Sequence, residues 1–356
     1  MQAALNVTIS RILTTAAKRK ASVIHLTVGA YPSLRIDEEL VEIEDSQIIT
    51  EDFMSKFAAA ILDEEQKKVL ENNREVTFIE EFADRFRFRV NIFYQKGFLS
   101  ASLKLIPKQI PLLVNLGLPK SVYGLTDKTS GLIVVSGPYG SGRTTTVASI
   151  LEEINKSRRE NIITIEKPIE YLFVNQKCLI EQREVGRDVN NFVQAIQYFK
   201  EADVDVIAVG ANEETEAIPL ILDLASSGRL VIFQMDTISV VQTLEEILAS
   251  FESKEQDRAR LVLSEGLLAV ICQRLVPRIG GGLSLAAEVL IVNDAVRSLI
   301  KEGRTKQIIT ILQSSRAEGM STLDQSLAEL IKSGEVLIDK AVNYAVNPSN
   351  LRSMAK

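Results

Sequence analysis

The chain has 356 residues, 46% hydrophobic and 25% charged, with a formal net charge of −6. That is enough for two globular domains, and an acidic whole gives no electrostatic case for nucleic acid. One histidine, His25, excludes a multi-histidine zinc site, and Cys178 and Cys272 lie in no paired spacing and read as buried thiols. No apolar run reaches the roughly 18–20 residues that span a bilayer. Lys18, Arg19 and Lys20 follow a weak apolar stretch. That order is the reverse of a signal peptide, so an amphipathic helix and a cytoplasmic protein are expected.

In chain order, Ser10 to Ala17 reads as helix and Ser22 to Val28 alternates as a strand. Leu34–Ile36 and Leu40–Ile43 read as a hairpin, and Glu51 to Asn73 has helical spacing. Val76–Ile79, Phe86–Tyr94 and Ser100–Leu105 read as strands. In the second of these Phe86, Phe88, Val90 and Ile92 share one face and Arg87, Arg89 and Asn91 the other. This first module, residues 1–107, is α+β. A linker is expected over 108–130, which carries Pro111, Pro119, Gly117 and Gly124.

Beyond it, apolar strands at Leu132–Val135, Ile162–Ile165, Val206–Val209 and Leu230–Phe233 alternate with helical stretches. That alternation predicts an α/β domain with a parallel sheet over 131–292. A strand at Ser284–Val292 and a mostly helical tail over 293–356 follow.

The sharpest motif is Gly137-Pro138-Tyr139-Gly140-Ser141-Gly142-Arg143-Thr144, with Thr145 behind it. It fits the phosphate-cradling P-loop at every position but Arg143, where a lysine is expected. The strand–loop–helix setting is the required one. In such a loop the glycines let backbone amides close on phosphates, and the Thr144 hydroxyl is placed for Mg2+. Arg143 keeps the charge but is longer, planar and forked. ATP or ADP is therefore the expected cofactor, with Mg2+ more weakly supported.

Several segments in this order resemble the PilT-type twitching-motility ATPases of the type II/IV secretion ATPase family. They include Ala21 to Leu26, Arg87 to Asn91, Ile165 to Glu170, Gln182 to Asp188, Gln273 to Gly282, Ala295 to Glu302 and Gly319 to Asp324. The resemblance implies a PAS-like N-terminal domain, a RecA-like domain and a homohexameric ring holding ATP between them. It also implies Glu166 as the water-activating glutamate and Arg87 and Arg89 as charge-sensing fingers, with Lys104 at a further arginine position. Implied partners are further copies of the chain, an active paralogue in a mixed ring, or an inner-membrane platform protein, with only peripheral membrane association. His25 is expected as a structural hydrogen-bonder.

The departures from the family are as informative as the match. Lys167 stands where the family has an aspartate, and Ala211 where it has a glutamate that organises magnesium. Glu213 and Glu214 come too late to replace it. Arg229 and Asp236 stand at two histidine positions. Reading all of these as one site predicts impaired hydrolysis. A competent motor with altered side chains and a nucleotide-independent scaffold ring are the alternatives.

Overall fold

The computed structural model describes residues 2–37, 39–82, 86–211 and 214–355. They form two compact units, one of 1–109 with 280–282 and one of 110–279 with 283–356.

The first unit holds six strands: β1 Val23–Thr27, β2 Ser33–Ile36, β3 Glu39–Glu42, β4 Glu75–Phe82, β5 Phe86–Gln95 and β6 Phe98–Ile106. They pair antiparallel in the order β3-β2-β1-β6-β5-β4. Helices α1 Gln2–Lys18, α2 Glu51–Ile61 and α3 Glu64–Asn73 complete it. Met54 and Phe57 pack with Phe88, Val90, Ile92 and Leu103, the core face expected of β5.

The periodic stretch over 51–73 is two helices rather than one. Leu62 turns extended, and Asp63 caps α3 in a capping box with Gln66. A carboxylate at an N-cap satisfies orphan amides that a continuous helix would not have. His25 also departs from expectation: its Nε2 is buried with no hydrogen-bond partner among the described residues. Burial, with Arg35 nearby, holds its pKa below the ordinary value.

The second unit is built on β7 Gly131–Ser136, β8 Asn161–Glu166, β9 Leu179–Glu184, β10 Val206–Val209, β11 Leu230–Met235, β12 Leu267–Pro277 and β13 Leu283–Ile291. The order is β13-β12-β7-β11-β10-β8-β9, parallel except for β13. Strands β7, β10 and β11 are buried along their whole length, as parallel strands covered on both faces must be. Strand β9 has the polar sequence Leu-Ile-Glu-Gln-Arg-Glu and pairs on one side only, with β8. An edge position tolerates that polarity, which is why alternation did not reveal it.

Eleven helices, from α4 Lys120–Tyr123, α5 Arg143–Ser157, α6 Phe192–Phe199 and α7 Ala217–Ser226 onward, surround this sheet among the described residues. The others are α8 Val240–Ala249, α9 Gln256–Gly266, α10 Asp294–Lys301, α11 Ile308–Ser314, α12 Leu323–Lys332 and, beyond it, α13 Ile338–Ala341 with α14 Pro348–Met354.

The stretch expected as a linker packs into this unit from residue 110. Leu113, Leu118, Val122 and Leu125 are buried with Ile133, Val147 and Ile150, and Ser149 Oγ donates to the Pro111 carbonyl at 2.8 Å. The tail belongs to the same unit, with Leu323 and Leu327 of α12 packed on Val276 and Ala286. Cys178 and Cys272 are buried free thiols. Among the described residues no helix is long and apolar enough to cross a membrane.

Candidate functional site

Parallel strands bring their carboxyl ends to one edge of a sheet, where α/β folds place their ligands. Register pairs Met235 with Ser136, Val209 with Phe233, and Ile165 with Val209. The loop after β7, Asp236 after β11, Ala211 after β10 and Glu166 at the end of β8 therefore share that edge. Arg229 does not. It precedes β11 and sits at the opposite edge, a six-residue strand or about 20 Å away. There its guanidinium donates to Ser227 Oγ at 2.8 Å and to the Lys200 and Ala202 carbonyls at 3.2 Å. The expectation that Arg229 forms one site with Lys167, Ala211 and Asp236 is corrected.

The Gly137–Thr144 loop is a shaped cradle. At Gly137, with φ +148°, a Cβ would meet Ser141 Oγ at 2.4 Å and the Gln273 carbonyl at 2.5 Å. Gly142, at φ +88°, is the N-cap of α5 and gives no side-chain cap. The first-turn amides of α5 are thus left for an anion, with the helix dipole behind them.

Gln273 fastens the loop from β12. Its Nε2 donates to the Ser141 carbonyl at 2.7 Å, and its Oε1 accepts from Thr146 Oγ1 at 2.9 Å. The Ser141 hydroxyl is buried without a hydrogen-bond partner. Tyr139, at the loop tip, is 73% exposed. A glycine cradle, uncapped amides and an orphaned hydroxyl fit a phosphate-bearing ligand.

Arg143 and Asp236, two departures that the sequence left separate, meet. Arg143 Nη1 donates to the Met235 carbonyl at 2.6 Å and is ion-paired with Asp236 Oδ1; the arginine side chain is 10% exposed and the aspartate 61%. Thr145 Oγ1 shares a 3.0 Å hydrogen bond with Tyr171 Oη.

Thr144 lines a pocket together with Thr164, Glu166, Tyr171, Gly210 and Gln234, so the magnesium-type hydroxyl and the candidate base are brought together. The Glu166 carboxylate accepts from Thr164 Oγ1 at 2.7 Å and from Gln182 Nε2 at 3.3 Å. Burial pushes its pKa up to about 7; the Thr164 and Gln182 hydrogen bonds oppose this, the Glu170 charge adds to it, and a hydrogen bond from the Glu170 backbone opposes it. Near neutrality this carboxyl is divided between acid and base, the range a general base needs.

Gln182 also donates to the Tyr171 carbonyl at 2.8 Å and accepts from the Phe173 amide at 3.0 Å, so β9 braces the whole 166–173 segment. Lys167 is exposed. Glu214 caps α6 instead, accepting from the Phe192 and Val193 amides at 3.2 and 3.1 Å. Glu213 lies outside the described residues. Among the described residues no cluster of three or more acidic, histidine or cysteine side chains could hold a metal.

Arg87 and Arg89 lie on β5 of the first unit, half-buried on its polar face. Arg87 Nε is 3.6 Å from Glu81 Oε1, and Arg89 pairs in register with Lys104. Gln273, Gln182 and Tyr171 carried no assigned role in the sequence. The available signal for Gln273 was an uncharged polar residue inside the apolar strand Leu267–Pro277, where it is fully buried.

Residues 2–285 match the model of the type II/IV secretion system protein family. The chain belongs to the type II/IV secretion ATPase family and is of PilT type. It is 34% identical to the type IV pilus retraction ATPase PilT of Pseudomonas aeruginosa, over 96% of this chain and 99% of that protein. It is also 34% identical to a twitching motility protein of Neisseria gonorrhoeae, over 90% of this chain and 86% of that protein. A crystal structure of the pilus retraction motor PilT with bound ADP superposes with a TM-score of 0.83 at 38% identity, covering 96% of this chain and 98% of that one. The Legionella pneumophila ATPase DotB shares the fold at 22% identity, with a TM-score of 0.82 over 94% of each chain. The second unit is thus a RecA-like P-loop domain, preceded by the small α+β unit.

Proposed function

We propose that this chain is a nucleotide-binding subunit of a PilT-like hexameric ring that serves type IV pilus retraction or a related secretion machine. Its ATP hydrolysis is slow, and its role is accessory or regulatory, alone or beside an active paralogue on a membrane platform protein at the cytoplasmic face. Relatives named for pilus retraction and twitching motility, one of them crystallised with ADP, support the first part. The observation that carries the second is the engagement of the P-loop cation: Arg143 is committed to Asp236 and the Met235 carbonyl.

In this reading the amides of Gly137 to Thr144 and the α5 terminus hold the phosphates. Thr144 is the hydroxyl available to a magnesium ion, and ATP supplies the phosphoryl group. Glu166 holds or takes a proton at its carboxyl, braced by Thr164 and Gln182. Arg87 and Arg89 remain the candidate fingers. Ala211 offers no carboxylate to the metal, and loss of one positioned group in a charge-stabilising site costs about 10²–10³ in rate. Because Ala211 leaves the metal without that carboxylate, magnesium adds little to nucleotide affinity.

Titration calorimetry with ADP, with and without EDTA, tests this reading. Saturable binding weakened less than tenfold by chelation is expected. Absence of binding would leave the scaffold alternative standing.

A further inference from the structure

Two residues that break the family pattern are in contact, and neither break makes sense alone. An arginine only 10% exposed needs a counter-charge, because removing a lone guanidinium from water costs several kcal/mol. Asp236 supplies it. The carboxylate has no other hydrogen-bond or ion-pair partner among the described residues.

Nor does the β11–α8 loop depend on it. Thr237 and Thr243 share a hydroxyl bond at 2.6 Å, and Thr243 Oγ1 donates to Ser136 Oγ at 3.2 Å. Arg274 Nη2 donates to the Ile238 carbonyl at 2.9 Å, and the Val240 amide to Glu288 Oε1 at 2.7 Å. Ser239, not Asp236, caps α8. The loop is held without the Asp236 carboxylate, which leaves Arg143 as the group it acts on.

We infer that Asp236 is a positioning residue that draws the P-loop arginine toward the β11–α8 loop and competes with ligand phosphates for it. The inference rests on the nucleotide-binding reading above and gives it a setting. A di- or triphosphate must displace or share a charge-assisted pair that is already made, so the apo loop resists weak anions and affinity is set by the competition. A lysine at 143 would be a point charge, whereas the planar fork of arginine can face a carboxylate and a carbonyl together. Arg143 and Asp236 are in this sense one unit.

Two measurements on the full chain test this. The first is a double-mutant cycle in thermal unfolding with Asp236→Asn, Arg143→Gln and the double variant. A contacting pair gives a double variant less destabilised than the sum of the singles; additive shifts overturn the pairing whether or not nucleotide binds.

The second is equilibrium titration with a fluorescent ADP analogue. Asp236→Asn is expected to tighten binding about tenfold, equivalent to about 1.4 kcal/mol, while Asp236→Glu, which keeps the charge, stays near wild type. A residue holding only the loop's structure would shift Tm and leave affinity alone. Unchanged or weaker affinity in Asp236→Asn overturns the competition. If no variant and not the wild type binds the analogue, the nucleotide-binding reading and the competition fall together, and the unfolding cycle alone still decides the pair.

Discussion

Replacing Glu166 with glutamine should stabilise the protein in a strongly pH-dependent way. The carboxyl has a folded pKa of about 7 against an ordinary 4.5, chiefly through burial. Between those values the folded chain retains a proton that the unfolded chain has released. Stability contributed by this group is therefore full below about 4.5, falls as pH rises through the window, and is lost above about 7. At about 1.4 kcal/mol per pH unit, that difference makes ionised Glu166 about 3 kcal/mol destabilising at pH 8 and under about 1 kcal/mol at pH 5.

Glutamine keeps the oxygen that accepts from Thr164 and Gln182 and cannot ionise. For a unit of this size about 3 kcal/mol is a rise of about 6 °C in Tm. Differential scanning fluorimetry of wild type and Glu166→Gln at pH 5 and pH 8 reads it directly. An equal difference at the two pH values, or a wild type more stable at pH 8, would refute the buried, raised carboxyl.

Other substitutions probe the remaining supports of the site. Gly137→Ala forces a Cβ to within 2.4 Å of Ser141 Oγ at a backbone angle of +148°; it should lower Tm and abolish ADP binding, with strain of about 1–3 kcal/mol. Gln273→Leu orphans the Ser141 carbonyl and the Thr146 hydroxyl. At about 1–3 kcal/mol for each buried group left unsatisfied, it should be clearly destabilised and bind ADP more weakly in titration. Arg229→Gln loses the carbonyls of Lys200 and Ala202 at the far edge of the sheet; Tm should fall while ADP affinity stays within about twofold. Reversions intended to restore catalysis therefore belong at Arg143, Lys167, Ala211 and Asp236.

The sheet's strands were legible because buried parallel strands are unbroken apolar runs, as at Leu132–Val135 and Val206–Val209. The glycine loop was legible because its spacing is dictated by phosphate geometry. What sequence could not supply was which edge of the sheet a residue reaches. Arg229 and Asp236 flank the same strand and look equivalent in a string, yet one sits at each end of β11. Pairing across elements was hidden for the same reason: Arg143 and Asp236 are far apart in the chain and in contact through the β7–β11 register. The segment over 108–130 misled because prolines and glycines signal a break in regular structure, while its leucines find a core that only the folded unit provides.

The central claim is a site that holds nucleotide but turns it over poorly, and steady-state phosphate release from saturating ATP with magnesium measures it most directly. The purified chain is expected to bind ADP while releasing phosphate far below about one per second, the lower end of ordinary enzyme turnover. A rate near one per second that Glu166→Gln abolishes would contradict the account, and would make this chain a working motor with unusual residues around its P-loop.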